Sequence, residues 1–283
     1  MPKVARNAGI DILHSLGYVA PIFSRLPSVV TVHDLNFRMV GADMSPSRRI
    51  ALRAFVSASM QCVTRVVTDS HASRAQILSF TSLPQEKVVV VHLGGNHRAR
   101  DRAFHSSVAP PYFLAFSSSS RHKNIGTLLS AFRAASRDEG FKHRLVILGR
   151  LRPEDAAVAS TIARVHTPGH VDDAAVSGLL AYADFLVMPS TYEGFGLPVT
   201  EAMFFGVPGL LANRASLPEV GGDAALLFDP SKTNELAALL VMAAADRVQR
   251  QRLSVNALAR APLFSWKGAA VQMLDVYRDC LSQ

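Results

Sequence analysis

Two carboxylates eight positions apart, Glu193 and Glu201, bracket the run Glu193-Gly194-Phe195-Gly196-Leu197-Pro198-Val199-Thr200-Glu201, and no other stretch of the chain offers as much chemistry. Upstream, Phe185-Leu186-Val187-Met188 is a short apolar run that Pro189 ends, the pattern of a buried strand in a parallel sheet. Downstream, Pro198 suits a first helical position, where its missing N–H costs nothing and its φ is already set. The segment therefore reads strand, loop, helix. Gly194 and Gly196 let the backbone approach a ligand, and free N–H groups of the turn after Pro198 meet it with the positive end of the helix dipole, a cradle for a diphosphate. Glu201, about one turn into the helix, can accept hydrogen bonds from sugar hydroxyls beside the phosphates. Glu193, on the loop, lies closer to whatever group the phosphates carry. Acidic residues near a helix start also simply stabilise its dipole by roughly 0.3–1 kcal/mol, so Glu201 alone is compatible with a purely structural role.

Two further clusters sit where strands should end. Arg121-His122-Lys123-Asn124 follows the apolar run Tyr112 to Phe116 across four serines. A lysine at such a strand end supplies a point charge to a diphosphate leaving group, although a solvated basic loop is the plain alternative. His33 ends the run Val29 to Val32 and precedes Asp34. A histidine at the carboxyl edge of an open α/β sheet can donate to a sugar hydroxyl or bear on a reacting centre, or it can be an ordinary satisfied loop residue. Asp34 either accepts from an acceptor or caps a turn, and Asn213 and Glu219 read as supporting residues.

The elements that position these groups form two α/β units in series. Short apolar runs fall at Ile12-Leu13, Val29 to Val32, Val66 to Thr68 and Val88 to Val91, with helices expected over Arg48 to Met60 and Ser70 to Ser79, the latter capped by Ser70. The polar, basic stretch Asn96 to Pro111 reads as a linker. Strands then follow at Tyr112 to Phe116, Leu145 to Leu148, Phe185 to Met188, Gly209 to Leu211 and Ala225 to Phe228. Ala270, Met273, Leu274, Tyr277 and Leu281 recur at helical spacing near the end.

Composition bounds the function. A chain of 283 residues that is 49% hydrophobic can fill two cores. No apolar run reaches the roughly eighteen residues of a membrane span, and the start carries no signal pattern, so a cytoplasmic location is expected. Cys62 and Cys280 show no paired spacing, and His92 and His97 are not at helical ligand spacing, so neither a disulfide framework nor a metal is expected. The net charge of +8 is uneven: residues 1–105 hold thirteen Lys/Arg against six Asp/Glu. A basic first half fits an acidic acceptor, such as a lipid-phosphate-linked glycan, and leaves peripheral contact with an anionic inner membrane surface open, beside a merely solvated basic surface. Nucleic acid is set aside, because Arg48, Arg49, Arg53, Arg65 and Arg74 lack interleaved aromatics or a nucleic-acid motif.

The run from Glu193 to Glu201 resembles the Glu-x7-Glu motif of retaining glycosyltransferases with the GT-B fold, of the family four (group 1) type. The likeness extends along nearly the whole chain, through Asp11 to Ser15, Val30 to Leu35, Val66 to Ser70, Val88 to Gly94 and Ser216 to Ala224. It implies two Rossmann-like domains facing across a cleft: an acceptor-side domain over 1–105, a nucleotide-sugar domain over 106–262, and a last helix over 263–283 that packs back on the first. By the resemblance, Glu193 approaches donor-sugar hydroxyls, Phe195 and Gly196 offer backbone amides, Glu201 holds the ribose, and Lys123 with Arg121 binds the diphosphate. Gly194 and Leu197 belong to the same donor-binding run, and His33 acts at the reacting centre. The family's opening strand, glycine-rich turn and next βα units have no counterpart ahead of Asp11, so the first domain is expected to be incomplete. The implied activity is transfer of a hexose, with mannose from GDP-mannose slightly favoured over a UDP-sugar, from a nucleotide-sugar donor to a glycan or lipid-linked acceptor. Retention of configuration, no metal cofactor and a place in polysaccharide biosynthesis complete the expectation. A non-catalytic nucleotide-binding remnant or accessory subunit, and less so a nucleotide-sugar epimerase, are the alternatives.

Overall fold

A computed structural model of the chain describes residues 8–35, 45–98 and 105–282. The Arg48 and Arg49 side chains and the first seven residues lie outside that description. Two compact units emerge: Met1–Leu93 with Glu193–Phe195 and Lys267–Gln283, and Gly94–Tyr192 with Gly196–Trp266. In chain order the first half contributes β1 (Leu13–Ser15), β2 (Ser28–Thr31), α1 (Pro46–Cys62), β3 (Arg65–Thr68), α2 (His71–Phe80) and β4 (Val88–Val90). The second half contributes β5 (Tyr112–Ser118), α3 (Ile125–Ala135), β6 (Arg144–Arg150), α4 (Pro153–Ala159), β7 (Val165–Gly169), α5 (Asp173–Tyr182), β8 (Phe185–Met188) and α6 (Leu197–Met203). It continues with β9 (Gly209–Ala212), α7 (Leu217–Gly221), β10 (Ala225–Phe228), α8 (Thr233–Ala245) and α9 (Arg247–Arg260), and α10 (Trp266–Leu281) ends the chain.

The first unit is a four-stranded parallel sheet in the order β1-β2-β3-β4. Its central strands β2 and β3 carry valine pairs covered on both faces. Val30 and Val66 point into a cluster with Val56, Met60 and Ile77, while their neighbours Val29 and Val67 point the other way, against Ala269, Val276 and Cys280 of α10. The last helix thus completes the core of the first unit. Ser70 caps α2 by accepting from the Ser73 amide at 3.0 Å, as its residue type led one to expect.

The second unit is a six-stranded parallel sheet in the order β10-β9-β8-β5-β6-β7. From β5 the chain steps outward through β6 and β7, then returns to the other side of β5 and steps outward again through β8, β9 and β10. The boundary between β5 and β8 is therefore the switch point of the sheet, and ligands of open α/β sheets settle outside the strands' carboxyl ends at such a point. Helix α3 shields the sheet with Ile125, Leu128, Leu129 and Phe132, all buried at i, i+3, i+4, i+7 spacing.

Candidate active site

Both sequence clusters of the second half leave the sheet at that switch point. The carboxyl end of β5 runs into the short turn Arg121–Lys123, and the carboxyl end of β8 runs into the loop before α6. The two loops are stitched together: the Thr191 amide donates to the His122 carbonyl at 2.8 Å, and Asn124 Nδ2 donates to the Pro189 carbonyl at 3.1 Å and the Pro230 carbonyl at 3.0 Å. Asn124 takes the left-handed conformation, φ 53°, that turns the chain from Lys123 into α3. Asparagine tolerates this geometry better than most residues. Lys123 is half-buried and Arg121 is exposed.

At α6 the structure corrects two details of the expected cradle. The helix starts at Leu197, so Pro198 is its second residue rather than its first. The Val199 amide is spent on the Gly196 carbonyl at 2.8 Å, and so does not face a ligand. The open amides are instead those of Gly196 and Leu197, which donate to no described residue. Gly196 precedes the helix at φ 97°, a conformation that a side chain would strain.

Glu201 lies one turn into α6 and is buried. Its Oε1 accepts from Arg98 Nε at 2.8 Å and stands 2.9 Å from His97 Nε2. Arg98 also pairs with Asp173 at the start of α5. The start of the expected linker is thus no linker: Asn96 to Arg98 packs within the second unit and reaches the carboxylate that the sequence singled out.

In the first unit, the carboxyl edge of the sheet gathers His33, Asp34, Asp69 and Ser70, together with the segment Glu193–Phe195. The Gly194 carbonyl accepts from Ser70 Oγ at 2.7 Å and Ser73 Oγ at 3.0 Å. A Cβ on Gly194 would lie 2.9 Å from the Asp34 Cβ and 3.0 Å from the His33 carbonyl oxygen, so its lack of a side chain serves this contact. Phe195 is buried and stacks on His92, with ring centroids 5.9 Å apart. Glu193 is half-buried.

His33 places Nδ1 2.8 Å from Asp69 Oδ2 and Nε2 3.2 Å from the Leu16 carbonyl oxygen. Both partners are acceptors, so the ring satisfies both only as the imidazolium. The Asp69 hydrogen bond, helped by its charge and by that of Asp34 against the cost of burial, raises the His33 pKa above 6.5. A raised folded-state pKa stabilises the unit fully below the unfolded value and loses that contribution as pH rises through the folded value. Thermal melts of wild-type protein and His33→Gln should therefore differ most below about pH 6.5, the unfolded value, and draw together as pH rises through the raised folded value. A gap that widens with pH would contradict the assignment. His14, bonded to Tyr277 Oη and Thr31 Oγ1, is shifted down by burial and titrates with the opposite sign, which is why the comparison needs the single variant.

The family model for glycosyl transferases group 1 matches residues 97–260, more than half of the chain, and that for glycosyltransferase family 4 matches residues 1–98. The chain belongs to the glycosyl transferases group 1 family. Similar proteins include the O-antigen chain mannosyltransferase B of Escherichia coli, 29% identical over 89% of this chain and 70% of that protein. The MMP alpha-(1->4)-mannosyltransferase of Mycolicibacterium hassiacum is 30% identical over 78% of this chain and 55% of its own length. A GDP-mannose-dependent alpha-(1-6)-phosphatidylinositol dimannoside mannosyltransferase of Mycobacterium tuberculosis is 35% identical over 50% of this chain and 37% of its own length. The chain thus spans between about a third and just over two thirds of these relatives. Among solved structures, sucrose-phosphate synthase of Thermosynechococcus elongatus superposes with a TM-score of 0.78 at 21% identity, covering 99% of this chain and 76% of that one. A Rickettsia africae glycosyltransferase gives 0.75 at 15% identity, covering 99% and 79%. The fold is that of the GT-B glycosyltransferases, built on two parallel-sheet Rossmann-like domains. Among the described residues, no helix is long and apolar enough to cross a membrane.

The residue types and spacing around His33 and Glu201 give little sign of their partners. Asp69 was visible only as one of several strand-end acids, and His97 and Arg98 were hidden in an apparently featureless basic stretch. The signal that could have found them is Gly94-Gly95, a pair that marks close backbone approach just ahead.

Proposed function

We propose that the protein transfers a hexose, mannose from GDP-mannose before any UDP-sugar, to a glycan or lipid-linked acceptor with retention of anomeric configuration. The observation that carries this reading is the switch-point constellation of the second unit: the turn bearing Lys123, the open amides of Gly196 and Leu197, and the buried carboxylate of Glu201. Lys123, with Arg121, would bind the diphosphate and stabilise the charge that grows on it as the glycosidic bond breaks. The two amides would cap its oxygens, and Glu201 would accept from the ribose hydroxyls. For Glu193 the Glu-x7-Glu resemblance supports contact with the donor-sugar hydroxyls, and for His33 the family-like His33-Asp34 pair supports a role at the reacting centre. No step of this scheme requires a metal. Mannosyl transfer is supported by the names of three relatives, one of them GDP-mannose-dependent.

Calorimetric titration with GDP, UDP and ADP tests the pocket and its base preference together, and a donor panel with anomeric analysis of the product tests transfer and retention. Glu201→Ala should remove charged hydrogen bonds worth about 1.5–3 kcal/mol, a loss of roughly 10- to 150-fold in nucleotide affinity. Unchanged affinity in a folded Glu201→Ala protein would take Glu201 out of the site. Failure of a folded chain to bind any of the three nucleotides would sink the donor reading.

A further inference from the structure

The strip Gly94-Gly95-Asn96-His97-Arg98 lies directly on α6 and on the start of α10. A Cβ on Gly95 would stand 2.5 Å from the Thr200 carbonyl carbon and 2.7 Å from the Glu201 nitrogen, and one on Gly94 would stand 2.3 Å from the Trp266 nitrogen. Two glycines in succession are what let the strip approach so closely. Beyond them the strip is pinned by polar contacts. Asn96 Oδ1 accepts from the Trp266 amide at 3.0 Å, and the Trp266 indole N–H points to His97 Nδ1 at 3.4 Å. With Nδ1 accepting, the proton of a neutral His97 ring sits on Nε2, which faces Oε1 of Glu201 at 2.9 Å. Arg98 spans two carboxylates, its Nε on the same Oε1 and its Nη1 on Asp173.

Both contacts therefore fall on one oxygen of Glu201. Oε2 takes no hydrogen bond among the described residues, although the residue is only 4% exposed. A buried carboxylate held by one oxygen is fixed in rotation and keeps the other for a ligand. Its negative charge, which would otherwise oppose an incoming diphosphate, is offset by the guanidinium behind it. We propose that His97 and Arg98 are positioning residues that clamp Glu201 through Oε1, so that Oε2 is presented to the ribose hydroxyls of the nucleoside diphosphate. This inference rests on the donor-site reading above and adds to it the groups that orient the ribose-binding carboxylate.

The test compares GDP with 2′,3′-dideoxy-GDP, which lacks the hydroxyls in question, by calorimetry alongside thermal melts. Arg98→Gln should weaken GDP about tenfold, the size of one lost charged hydrogen bond, and leave dideoxy-GDP unchanged. Arg98→Lys, which keeps the charge but not the two-armed fork, should fall between. The double variant Arg98→Gln/Glu201→Gln should bind GDP no more weakly than Glu201→Gln alone, as expected of residues acting through one another. Equal losses for both nucleotides, or additive losses in the double variant, would overturn the clamp. If Arg98→Gln does not fold, His97→Gln makes the same comparison: a loss confined to GDP supports the clamp, and equal losses overturn it. Wild-type protein that binds GDP no better than the dideoxy analogue removes the ribose role of Glu201 itself. Wild-type discrimination that survives in the variants removes only the positioning role.

Discussion

Lys123→Ala should lower kcat for sugar transfer by about 10²- to 10³-fold, the range seen when one preorganised electrostatic group is removed from developing negative charge. The loss should appear in kcat more than in donor affinity, because the charge on the leaving diphosphate grows toward the transition state and the lysine acts most strongly there. Position in the fold is the ground for this expectation. Lys123 follows β5, the strand at the switch point, and its turn is bonded through the His122 carbonyl to Thr191 in the loop after β8. Arg121, exposed in the same turn, should matter much less on substitution by alanine. Single-turnover transfer at saturating donor isolates the effect. A Lys123→Ala protein that melts normally and keeps kcat within about threefold of wild type would exclude the lysine from leaving-group stabilisation.

The second large effect should come from a residue with no functional group. Gly95→Ala must push the strip off α6, because its methyl would be met by backbone at Thr200 and Glu201 rather than by a side chain that can rotate away. Overpacking of this kind costs about 1–3 kcal/mol, or a melting temperature lower by roughly 3–10 °C for a chain of this size. Nucleotide affinity should fall with it, since the shift moves His97 and Arg98 relative to Glu201. Gly17→Ala is the control, as a Cβ there meets nothing within 4 Å. Equal melting temperatures for the two variants would mean that the close packing of the strip on α6 is wrong.

Much of the fold was legible because parallel strands covered on both faces write themselves as short apolar runs. Val29 to Val32, Val66 to Thr68, Phe185 to Met188 and Gly209 to Leu211 all fell on strands within a residue or so. Ser70 was legible as a cap for a local reason, since its hydroxyl bonds an amide three residues on. The stretch Asn96 to Pro111 misled at its start. Polar composition marks a linker when nothing else is known, yet Asn96, His97 and Arg98 find partners at Trp266, Glu201 and Asp173, each distant in sequence.

The sequence by itself determined that the chain folds as two α/β units and that a glutamate pair around a glycine turn follows a strand. Periodicity and turn chemistry are local, and each is written within ten residues or so. Only the tertiary structure decided that β5 and β8 are neighbours, which brings the loops of Lys123 and Glu201 out at one switch point. It alone decided that Glu201 is held by Arg98 and His97, that His33 is bonded to Asp69, and that Gly194 packs against Asp34. The physical reason is that hydrogen bonds and ion pairs act over about 3 Å in space whatever the separation in sequence, so a carboxylate's role depends on which distant residues the fold sets beside it.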